Sequence, residues 1–189
     1  VKVYVINPAS DDILYASSGN GNGGYIATLD PLTGVGTNLG PSLFTALKSI
    51  AIHPTTKVVY GLFNSAVSST IVRVNAEKGD AYSLFSIPIS NLTSLVFDTS
   101  GVFYAFATDG KLFELSLPDG NYTELPTIQI NIASVTVNPQ NNEFWASRFA
   151  LAGTNIDKIY KISVLTGDTL FIGKAGTNVL IQGMSFSDN

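Results

Sequence analysis

The chain has no cysteine, one histidine, one methionine and one tryptophan. Without cysteine there is no disulfide, no thiolate metal site and no thiol nucleophile. The lone His53 leaves a catalytic triad or a histidine-bound metal without its other members, and its place before Pro54 reads as a turn residue. Charge is also scarce. Only 13% of residues are charged, and 14 acidic against 10 basic residues give a net charge of -4. The basic residues are scattered singly, which argues against nucleic acid or an anionic membrane as partner. No apolar run approaches the ~18 residues that cross a bilayer, so no membrane insertion is expected. Helical spacing is missing too, since no stretch of ~11 residues repeats apolar positions at i, i+3 and i+4.

What is present is enough apolar material for a core: 45% of the 189 residues are hydrophobic and mean hydropathy is +0.26. It is arranged as a repeat. A hydrophobic–aromatic pair recurs as Leu14-Tyr15, Val59-Tyr60, Phe103-Tyr104 and Phe144-Trp145, at steps of 45, 44 and 41 residues. After each pair comes a short alternating stretch ending in a small polar residue: Ile26–Asp30, Ile71–Asn75, Leu112–Ser116 and Ile159–Ser163. Thr33-Gly34, Lys78-Gly79, Asp119-Gly120 and Thr166-Gly167 follow, where a tight turn needs a residue tolerant of positive φ. The last anchor opens on a small residue: Ser49–Pro54, Ser94–Asp98, Ser134–Pro139 and Gly183–Ser187. Four anchors in constant order, with period-2 alternation between them, predict four short strands per ~45 residues. That is the unit of a β-propeller blade. A β-sandwich also has short strands, but nothing in it requires one four-strand pattern to recur in register.

Residues 26 to 40, with Asp30-Pro31-Leu32-Thr33-Gly34 at their centre, resemble the secreted bacterial propeller repeats written LYxIDPxTGxxTxIG…GLAFDP and related to the YVTN and NHL types. The resemblance implies that the GLAFDP-like strand is innermost, where blades converge and small side chains fit. By that order the inner strands fall near 1–6, 48–53, 93–98, 133–138 and 181–187. The expected fold is therefore all-β, a propeller of four four-stranded blades at about 1–40, 47–86, 93–126 and 133–173, with an extra inner strand starting a fifth. A surplus strand implies part of a larger propeller, or a ring of four with the extra strand packed elsewhere, and a chain starting at Val1 rather than Met suggests a piece of a longer protein. Open blade edges would favour homo-oligomers or pairing with the rest of the propeller.

Loops after second strands and loops entering inner strands share one end of the blades, where binding residues concentrate. Candidate contacts there are Asn20, Asn22, Phe44, Asn64, Arg148, Phe149, Asn155 and Asn178. The run Gly19–Gly24 opens no helix and holds no carboxylate, so it reads as a hairpin loop and not as a phosphate or calcium loop. Asp30 and Asp98 end strands where other copies have Asn, Ser or His, which suggests hydrogen bonds to turn backbone. The Tyr15, Tyr60, Tyr104 and Trp145 series recurs in every copy, as blade-to-blade packing requires. No catalytic set, metal site or cofactor is expected. Asn91-Leu92-Thr93 and Asn121-Tyr122-Thr123 match the glycosylation pattern, which matters only in a eukaryotic secretory setting.

The sequence leaves three functions open. The first is a non-catalytic binding or structural module of a secreted or cell-surface bacterial protein, contacting protein or carbohydrate. The scarcity of Lys beside abundant Ser, Thr, Asn and Gly motivates that location. The second is part of a lactonase-like or lyase-like propeller enzyme, whose channel metal would need residues beyond Asp98 and His53. The third is a self-assembly module.

Overall fold

The computed structural model describes residues 9, 13–19, 23–150, 156–176 and 180–186, and every regular element among them is a β-strand. The strands are β1 (Leu14–Ser17), β2 (Tyr25–Leu29), β3 (Gly36–Pro41), β4 (Ser49–Ile52), β5 (Val59–Asn64), β6 (Ser69–Val74) and β7 (Ala81–Ile87). They continue with β8 (Leu92–Phe97), β9 (Phe103–Ala107), β10 (Leu112–Leu115), β11 (Tyr122–Leu125), β12 (Ile132–Val137), β13 (Phe144–Arg148), β14 (Lys158–Ile162) and β15 (Thr169–Lys174). Each sheet pairs neighbours in chain order, all antiparallel: β1–β3, β4–β7, β8–β11 and β12–β15. These four meanders are the blades of a β-propeller. The first shows three strands, because the place expected for its inner strand, 1–6, lies outside the described residues. The repeated aromatic pairs open β1, β5, β9 and β13.

Two compact units divide the chain, Val1–Ser90 with the first two blades and Asn91–Asn189 with the last two. Period-2 alternation gives each blade two apolar faces, and in both units facing blades bury them against each other. In the first unit Tyr15 and Ile26 of the first blade share a core with Val59, Val72 and Val74 of the second. In the second unit Tyr104, Phe106 and Leu112 of the third blade meet Phe144, Ala146 and Ile162 of the fourth. Tyr104 stands edge-on to Phe144 at 5.3 Å. Tyr15 and Tyr104 thus pack between blades, as the regular spacing of the aromatic implies.

The small residue opening the inner-strand anchor also has a physical reason. Ser94 on β8 is buried; its hydroxyl accepts from the Val135 N–H at 3.1 Å and donates to the Val135 carbonyl at 3.3 Å on β12. Thr93 donates to the Ala133 carbonyl at 3.0 Å. First strands of adjacent blades come close enough for one hydroxyl to stitch them, which a larger side chain would prevent. Residues 181–186, expected as an inner strand, form no ladder here. An inner strand acquires its ladder from the second strand of its own blade, and no fifth blade is among the described strands.

Candidate functional site

Carboxylates and the histidine at strand ends close turns. Asp30 Oδ1 accepts from the N–H groups of Leu32 and Thr33 at 2.8 and 2.9 Å. Those two bonds hold its carboxyl below the usual carboxylate range. Asp98 Oδ1 accepts from the N–H of Ser100 (2.9 Å), the hydroxyl of Ser100 (2.8 Å) and the N–H of Val102 (2.8 Å). His53 Nδ1 accepts from the N–H groups of Thr55 and Thr56, each at 3.2 Å. All three expectations of a turn role are met.

The loop residues proposed from sequence are not gathered into one site. Asn20, Asn22, Asn155 and Asn178 lie outside the described residues. In the first unit Phe44 is half-buried against Phe63, with ring centroids 5.3 Å apart, and so serves the core. Beside it on β5, Asn64 Oδ1 accepts from the Ser69 hydroxyl at 2.9 Å. In the second unit Arg148 ends β13 half-buried, with its Nε enclosed and lacking a hydrogen-bond partner. Its neighbour Phe149 is also half-buried and donates its N–H to the Asn131 carbonyl at 2.8 Å.

A concavity sequence reasoning missed lies within the second unit, where β8 turns into β9, β12 into β13 and β14 into β15. This end is opposite to the loops above, because successive antiparallel connections alternate ends. It is an open cleft of about 610 Å³. Its walls include Tyr104, Phe144, Ile162, Val164, Leu165 and Leu170, so it is mainly apolar. Its polar residues are Asp98, closed on its turn, Asp168, which accepts from the Thr166 hydroxyl at 2.7 Å, the pair Lys161–Glu143 at 2.6 Å, and Asn142, Ser163 and Thr169. The hydrogen bond from Lys161 holds the Glu143 carboxyl below its usual range, and the Lys161 ammonium also sits 5.2 Å from the Trp145 ring centroid. Tyr104 is shifted upward, first by burial and then by the negative charges of Asp98 and Glu114. Among the described residues no three His, Cys, Asp or Glu side chains cluster as metal ligands do. The cleft thus sets apolar side chains beside one paired cation and carboxylate.

One sequence signal could have found it. In Thr169-Leu170-Phe171-Ile172 apolar residues run on without alternation along the outer strand, whereas the matching β11 reads Tyr122-Thr123-Glu124-Leu125.

No protein-family model matches the chain, and no curated protein matches it in sequence. Solved structures are similar in fold. A chain in the crystal structure of a nidogen/laminin complex superposes with TM-score 0.64 at 14% identity, over 85% of this chain and 60% of that one. This chain therefore spans 60% of that chain's length. A Bacteroides uniformis protein provisionally assigned as a 6-phosphogluconolactonase superposes with TM-score 0.57 at 14% identity, over 96% of this chain and 74% of that one. At such identity the likeness concerns the propeller fold.

Proposed function

We propose that this chain is a non-catalytic propeller module that binds a partner protein, seating an apolar segment of it in the cleft of the second unit. The observation carrying this reading is the character of that cleft. The surface of its walls is more apolar than polar, and Asp98, Asp168 and Glu143 each already accept from a turn group or from Lys161. An acid–base centre needs a carboxylate poised toward substrate, whereas a peptide site needs apolar walls and a few fixed polar groups. Similarity to a chain from a nidogen/laminin complex is consistent with protein as the partner class. In this reading the module works in a secreted or cell-surface protein, as the low Lys content and the many Ser, Thr, Asn and Gly residues suggest.

The loop end is the second reading, favoured by one observation: the enclosed Nε of Arg148 lacks a partner. A partner carbonyl or carboxylate that displaced the groups enclosing this Nε would complete its hydrogen bonding.

A peptide-display library panned on the purified chain separates the readings. Selected peptides should carry bulky apolar residues, and Leu165→Asp at the exposed cleft rim should weaken them about tenfold, roughly 1.4 kcal/mol. Arg148→Ala should leave them unchanged; the reverse pattern would move the site to the loop end. Stoichiometric calcium or zinc in the purified chain, together with lactone hydrolysis, would replace binding by the enzyme reading.

A further inference from the structure

The cleft of the second unit has a charge that its apolar walls do not explain. Its end of the unit carries Asp98 after β8, Asp119 between β10 and β11, Glu143 before β13 and Asp168 before β15, with Glu114 one residue from the end of β10. Among the described residues Lys161, one residue from the end of β14, is the basic residue at that end. The unit's other described basic residues, Lys111, Arg148, Lys158 and Lys174, stand at the opposite end of β10, β13, β14 and β15, where Asp109 and Asp157 also lie. Lys158 and Lys174 oppose each other across the ladder, about 13 Å of strand away from Ile162 on the cleft wall.

The lysine in the cleft does not offset this charge. Its ammonium is held by Glu143 at 2.6 Å and lies 5.2 Å from the Trp145 ring centroid, so the pair adds no net charge. Asp98 and Asp168 remain. The donors to Asp98 are two N–H groups and a hydroxyl, and the donor to Asp168 is the Thr166 hydroxyl, all of them neutral. Asp98 is only 7% exposed, so salt and water screen it weakly, whereas Asp168 is exposed at the rim. Tyr104, another wall residue, registers the same field, since after burial it is Asp98 and then Glu114 that push its hydroxyl upward.

Apolar walls beside carboxylates without a cation favour a ligand that is apolar and cationic at once. Lysine and arginine meet that description, because a long apolar stem ends in a charge. Such a stem fits along Ile162, Val164 and Leu170, with its head at Asp168. Taking the cleft as the binding site, we propose that the partner segment it seats pairs a bulky apolar residue with a lysine or arginine a few positions away, the cation standing against Asp168 in the field of Asp98. An acidic or uncharged segment would cover the same walls and leave both carboxylates without a cation.

Peptides selected on the purified chain from a random display library supply the probes. Their sequences should be enriched in lysine or arginine beside the apolar residues and depleted in aspartate and glutamate. Fluorescence anisotropy then compares a selected peptide with its analogue carrying glutamine in place of the basic residue. The basic form should bind about tenfold more tightly at low ionic strength, and its advantage should shrink to about twofold in about 0.5 M salt. Asp168→Asn, checked for folding by circular dichroism, should lower the low-salt advantage to about threefold. The salt series needs only the wild-type chain, so it decides the matter even where the variant misfolds. Apolar peptides that are weakened by Leu165→Asp, yet bind equally well with glutamine or glutamate in place of the basic residue, overturn the assigned charge and leave the cleft as the binding site. Selection of no apolar peptide, or of peptides indifferent to Leu165→Asp, overturns both.

Discussion

Tyr104 shows how one side chain joins packing to chemistry. It is buried on β9 against Phe144, and burial leads the upward shift of its hydroxyl, with Asp98 and Glu114 adding to it. Below the ordinary tyrosine value of about 10, folded and unfolded chains both keep the proton, so its contribution to stability is intact. As pH rises through the raised folded value the unfolded chain ionises first, and stability is lost. Urea midpoints between about pH 8 and 11 should therefore fall less steeply for Tyr104→Phe than for the wild type; identical slopes would contradict this. Tyr104 was legible as a packing residue because it recurs, and the turn roles of Asp30, Asp98 and His53 because they end strands. The charges around Tyr104 were not legible, since Glu114 comes beside it only through the β9–β10 register.

At the scale of elements, the turn glycines look alike in sequence and differ in structure. Gly34 and Gly167 both hold positive φ, +72° and +77°. A side chain at Gly34 would meet nothing within 4 Å, but a Cβ at Gly167 would stand 2.5 Å from the Thr127 carbonyl oxygen in the loop that joins β11 to β12. Gly34→Ala should cost only its backbone strain, about 1–2 kcal/mol. Gly167→Ala carries the same strain and a clash with backbone, and should cost about 3 kcal/mol or more. Denaturant unfolding of the two variants measures the difference, and equal costs would mean that the turn of β14 and β15 gives way freely. The strands were legible because alternation and turn chemistry are local. The second duty of Gly167 was not, because its neighbour lies 40 residues away along the chain.

At the scale of the whole molecule, partner binding and stability are coupled. A peptide that seats in the cleft of the folded chain alone stabilises that chain by mass action. The apparent melting temperature of the wild type should rise with added cleft-binding peptide, while that of Leu165→Asp rises much less. A wild-type value independent of the peptide would show that the cleft does not bind it. The sequence by itself determined the all-β blade pattern, the turns and the alternating faces, because each depends on residues a few positions apart. Only the tertiary structure decided that the loop candidates Phe44 and Asn64 serve local packing and bonding, and that a cleft opens at the other end of the blades. These depend on which blade face meets which, and such contacts are set by packing between segments about 40 residues apart, a distance over which no local pattern carries information.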